Sequence, residues 1–189
     1  MKGPAAWIVA LALLAIAGGG AYAWGSWSAA GWVSLSRVSG WVAALLLLAS
    51  LATSPFGPGA PKTVKRWRRA FGVGAAVASL AHLGLGLAGP LRDSLDAIWT
   101  WPTYRAGALA ALILTALLVT SFSRTKRVKV WKPLHRLVYV AGALVLLHLL
   151  RLPFASLVGV LFFGSALVVL LGWRVGKWLG ARGARPKLR

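Results

Sequence analysis

Three histidines, His82, His135 and His148, are the side chains of this 189-residue chain best suited to bind a metal or a metal-containing cofactor. The chain contains no cysteine, so thiolate metal sites, iron–sulfur clusters, disulfides and covalently attached c-type haem are excluded. Its only acidic residues, Asp93 and Asp96, lie close together in the sequence. We therefore do not expect a two-carboxylate hydrolase or a transporter that depends on carboxylates.

The histidines lie in a strongly apolar sequence. Apolar residues make up 59% of the chain and charged residues 13%, against about 45–50% and about 25% in soluble domains, and the mean hydropathy is +0.75. A membrane-spanning helix needs about 20 apolar residues. Six segments approach this length: 7–24, 38–53, 71–91, 104–122, 134–150 and 154–173. Because these runs lack the alternation of a membrane β-barrel, the sequence predicts an all-α integral membrane protein with a six-helix transmembrane bundle.

Basic residues are distributed unevenly between the connections of these segments. The chain has 22 lysines and arginines and a net charge of +20. Of these residues, 18 lie at the two termini and in the second and fourth connections, and the others are Arg37, Arg92, Arg105 and Arg151 in the odd-numbered connections. Cytoplasmic loops carry the excess of basic residues, so we expect both termini in the cytoplasm. We interpret the high charge as topology and attraction to anionic lipid, and we expect no nucleic-acid binding.

The chain is expected to form one transmembrane domain over residues 1–189, with a core at about 38–151 and a short basic cytoplasmic tail at 174–189. Its N-terminus also has features of a secretory signal peptide, because Lys2 and an apolar run precede the small-residue motif AYA (21–23). We expect this segment to be retained as the first membrane helix. Cleavage after the motif would leave five helices.

Helical geometry predicts that two of the histidines lie at the same depth. His148 follows His135 by 13 residues on the fifth segment, which corresponds to about 20 Å along a helix. His82 lies 11 residues beyond Phe71, the start of the third segment. Since the third and fifth segments run in the same direction, we expect His82 and His148 in the outer leaflet and His135 near the cytoplasmic face.

Two imidazoles at one depth on separate helices can supply both axial ligands of a single b-type haem. Small residues on the third and fifth segments would make room for the porphyrin: Gly72, Gly74, Ala75, Ala76, Ala78, Ser79, Ala81, Gly84, Gly86 and Gly142. Close helix packing with hydrogen-bonded histidines would use the same small residues and is the first alternative. Another bound metal is the second alternative, although no acid or cysteine stands nearby to complete a zinc or iron site.

At the depth of His135, the third segment carries two arginines instead of a histidine that could form a second pair with His135. Arg69 and Arg68 precede His82 by 13 and 14 residues and so lie at about the depth of His135. They either contribute only to the cytoplasmic positive charge, or they neutralise haem propionates or assist an inner cofactor near His135. The basic residues of this face that would also suit the phosphate of a flavin such as FMN are Arg66, Arg68, Arg69, Arg124 and Lys126.

Several short motifs follow one another between residues 40 and 151. They are GWVA (40–43) with TSP (53–55), RRAFGV (68–73) leading to His82, WPTYRAG (101–107), and WKPLHRLVY (131–139) followed by His148. In this order they resemble the ferric reductase-like transmembrane family, and within it the haem-binding membrane subunits of periplasmic methionine sulfoxide reductase systems (the MsrQ, or YedZ, group). The first and sixth apolar segments and the tail match that group only in type.

The resemblance implies a six-helix protein of the bacterial inner membrane that carries b-type haem on His82 and His148, with His135 as a further ligand candidate. It also implies an electron-transfer subunit of an oxidoreductase system rather than a stand-alone enzyme. Electrons would come from quinol or from a cytoplasmic flavin reductase. They would pass to a periplasmic molybdopterin-containing reductase that repairs oxidised methionine.

Two other functions remain open from the sequence. A ferric or metal-chelate reductase would pass electrons outward without a dedicated partner, but it would normally need a cytoplasmic flavin and nicotinamide domain that we do not find in this sequence. A haem-free membrane assembly or transport protein would use the histidines only structurally. An absorbance spectrum of the purified protein distinguishes this last function from the other two.

Overall fold

The computed structural model describes residues 29–53, 61–122, 131–153 and 155–183. In these ranges the helices are α1 (Ala29–Ala52), α2 (Lys62–Ala88), the short α3 (Ala97–Thr100), α4 (Pro102–Phe122), α5 (Trp131–Arg151) and α6 (Leu157–Gly183). Five of them are long and apolar enough to cross a membrane, which confirms the predicted all-α membrane class. The predicted first span, 7–24, lies outside the described residues, so the count of six spanning helices stays a prediction.

Three helices extend nine or ten residues beyond the limits predicted from hydropathy. α1 begins at Ala29 rather than at residue 38, so Arg37 lies within a helix and the prediction that it belongs to a connection is wrong. The same prediction is wrong for Arg105, which lies within α4, and for Arg151, which is the last residue of α5. α2 begins at Lys62 and therefore contains Arg68 and Arg69, and α6 continues past residue 173 as far as Gly183. Hydropathy detects only the apolar part of a helix, whereas lysine and arginine are good helix formers whose charged ends can reach the membrane surface.

Prolines mark two of the helix starts. Pro61 immediately precedes α2 in an extended conformation, with φ −52° and ψ 148°. Pro102 is the first residue of α4, where its missing N–H would have no partner within the helix in any case. α2 ends next to Gly89, at which a Cβ atom would lie 2.8 Å from the Cβ of Trp32. This close approach joins the end of α2 to the start of α1.

The long helices pack in two principal pairs. α1 packs along α2, and α4 packs along α5. The two pairs meet mainly where α2 contacts α4, and α6 lies against α1 and α5. Small side chains allow helices to approach closely in a membrane. The buried residues of α2 are mostly of this kind: Ala70, Val73, Gly74, Ala75, Ala76, Ala78 and Ser79.

The apolar core lies where α1, α5 and α6 meet. Leu47, Phe163 and Leu167 are almost completely buried there. A Cβ at Gly142 would lie 3.3 Å from a methyl carbon of Leu167 and 3.4 Å from one of Leu51. Gly142 therefore makes room for core leucines rather than for a cofactor, and the suggestion that it lines a porphyrin pocket is wrong. The outward face of α6 is apolar and exposed, as expected for a surface in contact with lipid.

Candidate cofactor site

A cavity of about 240 Å³ lies between α1, α2, α4 and α5, and it reaches the connection formed by residues 89–101. His82 on α2 and His148 on α5 both line it. The centroids of their imidazole rings are 6.3 Å apart, and the ring planes are inclined at 75°. The structure therefore brings together the two histidines that were predicted to share one depth.

Each imidazole is oriented by a backbone carbonyl of a neighbouring helix. The Nδ1 atom of His82 lies 2.8 Å from the carbonyl oxygen of Ser36 on α1, and the Nδ1 atom of His148 lies 2.8 Å from that of Thr103 on α4. A carbonyl oxygen can only accept, so both Nδ1 atoms carry the proton and donate it. The Nε2 atom of each neutral ring is then left as a free base, the state in which histidine binds a metal.

A glycine lies beside each imidazole, four residues after the carbonyl that accepts its hydrogen bond. A Cβ at Gly40 would lie 3.0 Å from Cε1 of His82, and a Cβ at Gly107 would lie 2.9 Å from Nδ1 of His148. Both distances are shorter than ordinary van der Waals contacts. A hydroxyl residue followed four positions later by glycine thus forms the seat of each ring: Ser36 with Gly40 on α1, and Thr103 with Gly107 on α4.

Two serine hydroxyl groups lie close to the His82 imidazole. The Oγ atom of Ser39 lies 3.3 Å from Nδ1 of His82, and the Oγ atom of Ser36 lies 3.5 Å from it. Ser39 is completely buried, and its hydroxyl donates to the same Ser36 carbonyl at 2.8 Å. The acceptor of the His82 hydrogen bond is therefore shared between two donors.

The wall of the cavity is apolar at one end and polar at the other. Away from the 89–101 connection it is formed by alanines and leucines: Ala44, Leu47, Ala111 and Leu114. Toward that connection it includes Arg37 and Tyr104. Among the small residues expected to make room around His82, Ser79 and Gly86 do line this cavity. Gly84 faces away from it, with no atom near the position of an added Cβ.

His135, Arg68 and Arg69 lie at the other end of the bundle and do not line this cavity. The Nε2 atom of His135 is 3.4 Å from the hydroxyl oxygen of Ser121. The same serine's carbonyl accepts a hydrogen bond of 3.0 Å from Arg69. Arg68 is linked to α1, because its backbone carbonyl accepts a hydrogen bond from Ser50. The structure thus associates His135 with Arg69, as their predicted depth suggested, and separates both from the His82–His148 pair.

The arrangement is suited to a metal that brings most of its own ligands. In the described part of the chain, no group of three or more histidine, cysteine or acidic side chains is positioned to hold a metal ion. His82 and His148 offer two nitrogen ligands from two helices that line the same cavity. A metal at this position would need a cofactor to supply its remaining ligands, and a flat macrocycle between the two imidazoles would do so.

Sequence reasoning missed three elements of the site. It assigned Arg37 to a connection, because a basic residue ends a hydropathy segment. It gave no role to Gly40 and Gly107, although both stand in the motifs quoted above. It also missed the carbonyls of Ser36 and Thr103, since backbone acceptors leave no trace in residue type. The repeated spacing of a hydroxyl residue and a glycine is the signal that could have indicated the two seats.

Comparison with known proteins identifies relatives of the chain. Residues 39–146 match the family described as ferric reductase like transmembrane component. The chain is 34% identical over 164 residues to the protein-methionine-sulfoxide reductase heme-binding subunit MsrQ of Bordetella pertussis, which covers 79% of this chain and 77% of that protein. It is 35% identical over 146 residues to the subunit of the same name from Xanthomonas axonopodis pv. citri, covering 72% of this chain and 66% of the relative. No solved structure matches it significantly.

The family match covers more than half of the chain. It includes His82, His135, Gly40 and Gly107, and it ends two residues before His148. The relatives are similar over most of their own length as well. The chain therefore belongs to the ferric reductase-like transmembrane family, which its motifs indicated.

Proposed function

We propose that this protein is the membrane electron-transfer subunit of a methionine sulfoxide reductase system and that it carries a b-type haem between His82 and His148. The relatives named above are heme-binding subunits of such reductases, which supports the assignment. The observation that carries it is the 6.3 Å separation of the two imidazole centroids.

That separation agrees with the length of a bis-imidazole metal site. A metal–imidazole bond is about 2.0–2.1 Å long, and the bonded nitrogen lies about 1.2 Å from the centre of its ring. Two such rings on opposite sides of one metal therefore have centroids about 6.5 Å apart, close to the observed 6.3 Å. Hydrogen-bonded histidines that only packed helices together would have no reason to keep this spacing with both Nε2 atoms free.

The side chains of the site favour electron transfer over chemistry at the metal. When bound, the haem supplies a one-electron redox centre. His82 and His148 would both hold the haem iron, which would leave no position there for a substrate. The carbonyls of Ser36 and Thr103 hold the rings in one tautomer and one orientation, which limits the rearrangement that accompanies electron transfer. The apolar wall formed by residues such as Leu47 disfavours water at that end of the cavity.

The finer parts of the proposal concern donor, acceptor and direction. The end of the bundle with Arg69 and His135 carries most of the basic residues and is proposed to face the cytoplasm of a bacterial cell, across the inner membrane. Quinol or a flavin-linked donor, with FMN as a candidate second cofactor, would be oxidised at that end. The cavity end at residues 89–101 would then face the periplasm, where a molybdopterin-containing reductase would accept the electrons.

The test is a comparison of the wild-type protein with three single variants, His82→Ala, His148→Ala and His135→Ala. Each is produced in haem-replete cells, purified in detergent and checked for folding by size-exclusion chromatography and circular dichroism. We expect a reducible low-spin b-type spectrum for the wild type and for His135→Ala. We expect its loss in both other variants, because either substitution removes one of the two histidines that would hold the haem. Pyridine haemochrome quantification measures the haem per protein.

Two results would contradict the proposal. The haem assignment fails if correctly folded wild-type protein is colourless. The pairing fails if His135→Ala and His82→Ala lose the same spectral component while His148→Ala keeps it. The role in methionine repair is tested separately. The reduced protein should be oxidised when the periplasmic reductase and methionine sulfoxide are added together, and not by methionine sulfoxide alone.

A further inference from the structure

Arg37 is the only lysine or arginine among the described residues that line the His82–His148 cavity. It lies on α1, next to Ser36, whose carbonyl accepts the hydrogen bond of His82. The four arginines of the odd-numbered connections looked equivalent in the sequence. In the structure, Arg37 belongs to the cofactor site, and Arg92, Arg105 and Arg151 do not line it.

No acidic side chain of the described residues lines the cavity to balance this charge. The chain has only two acids, Asp93 and Asp96, and both lie in the 89–101 connection. Neither of these two residues lines the cavity. Arg37 is an exposed residue at the polar end of the cavity, and its guanidinium favours a ligand that carries its own negative charge at that position.

The cavity offers such a charge only one favourable orientation. On α1, Ala44 and Leu47 follow Arg37 by roughly two and three helical turns and form the apolar end of the wall. Carboxylates directed to that end would be buried without a hydrogen-bonding partner, which is strongly unfavourable. Carboxylates directed to the other end would meet the Arg37 guanidinium, whose planar donors suit bidentate pairing. The Tyr104 side chain also lines the wall near that end.

We propose that Arg37 binds the propionate carboxylates of the porphyrin and thereby orients the cofactor with its charged edge toward the 89–101 connection. This proposal rests on the proposed haem function and deepens it. It also assigns the propionates to Arg37 and not to Arg68 or Arg69, which the structure separates from the cavity.

The experiment compares two porphyrins and four proteins. The wild type, Arg37→Gln, Arg37→Lys and the control Arg92→Gln are produced without haem, purified in detergent and titrated with ferric protoporphyrin IX or with its dimethyl ester. Arg92 is exposed near the same end of the bundle but does not line the cavity. The readout is the dissociation constant from the absorbance change, so no electron donor or partner is needed.

We expect Arg37→Gln to weaken binding of the free-acid porphyrin by about tenfold or more, as for loss of a hydrogen bond to a charged group. Binding of the dimethyl ester, which has no carboxylate to pair, should be equal in wild type and variant. Arg92→Gln should bind both porphyrins as the wild type does, and Arg37→Lys should recover part of the lost affinity. The effects of the Arg37→Gln substitution and of propionate esterification on the dissociation constant are then non-additive, as expected for groups in contact.

Two outcomes would overturn the proposal while leaving the haem assignment intact. Arg37→Gln could weaken both porphyrins equally, which would mean that Arg37 acts through packing. It could also leave both affinities unchanged, which would mean that the propionates lie elsewhere. If the wild type binds neither porphyrin while correctly folded, the proposed function fails and this proposal fails with it.

Discussion

Replacement of Gly107 by alanine should displace His148 from its seat and weaken the site without harming the helix that carries the substitution. An added Cβ would lie 2.9 Å from Nδ1 and 3.0 Å from Cε1 of His148. Ordinary contact requires about 3.4 Å, so the ring must retreat by about 0.5 Å. The hydrogen bond from Nδ1 to the Thr103 carbonyl, now 2.8 Å, would lengthen to about 3.3 Å, beyond the usual range for N–H···O bonds.

The free-energy effect of Gly107→Ala can be estimated separately for the hydrogen bond of His148 and for the helix α4. A buried donor that loses its acceptor costs about 1–3 kcal/mol, which corresponds to a roughly 5- to 150-fold loss of haem affinity. Alanine is favoured over glycine in a helix interior by up to about 1 kcal/mol, so α4 itself should not be destabilised. We therefore expect Gly107→Ala to fold normally and to bind haem more weakly.

The assay is a haem titration of protein purified without haem, with Gly84→Ala as the matched control. Gly84 is an exposed residue of α2, two positions from His82, and no atom lies within 4 Å of an added Cβ there. The control should keep the wild-type affinity. If Gly107→Ala binds haem within about twofold of the wild type, the ring is not held as described and the reasoning is wrong.

Two further predictions concern tuning and topology. Ser39→Ala removes the hydroxyl that shares the Ser36 carbonyl with His82. The remaining hydrogen bond should strengthen, and the imidazole should become a better electron donor, so spectroelectrochemical titration should give a lower midpoint potential at unchanged haem content. An unchanged or higher potential would refute this. A reporter that is active only outside the cytoplasm should be active when fused at Leu95 and inactive at Arg127, because of the distribution of basic residues. The opposite pattern would invert the topology.

The sequence was sufficient to predict the helical class and the convergence of His82 and His148. Both depend on periodicity and length, since a helix rises by a constant amount per residue and a membrane has a defined thickness. Depth alone placed the two histidines on one level and associated His135 with Arg69. The helix ends were less well predicted, because lysine and arginine interrupt a hydropathy segment without interrupting a helix. For this reason Arg37 was predicted to lie in a connection.

The orientation of the imidazoles could not be predicted in the same way. It depends on backbone carbonyls and on the absence of a side chain at Gly40 and Gly107, and neither has a signature in hydropathy or charge. Each imidazole contacts its carbonyl and its glycine only because α1 packs against α2 and α4 packs against α5. Gly142 illustrates the opposite error. Its small size suggested the cofactor site, but the structure uses that space for Leu51 and Leu167.

In the proposed site, one pair of helices carries the histidines and another pair carries the groups that orient the histidine rings. The two proposed ligands, His82 and His148, lie on α2 and α5, whereas the carbonyls that orient them lie on α1 and α4. Each ligand helix packs most extensively on its own orienting helix, so imidazole orientation is decided within a pair. The distance between the imidazoles depends on how the two helix pairs pack together, which they do mainly where α2 contacts α4. Substitutions within a pair should therefore alter the strength of metal ligation, while substitutions between α2 and α4 should alter whether both ligands reach the same metal.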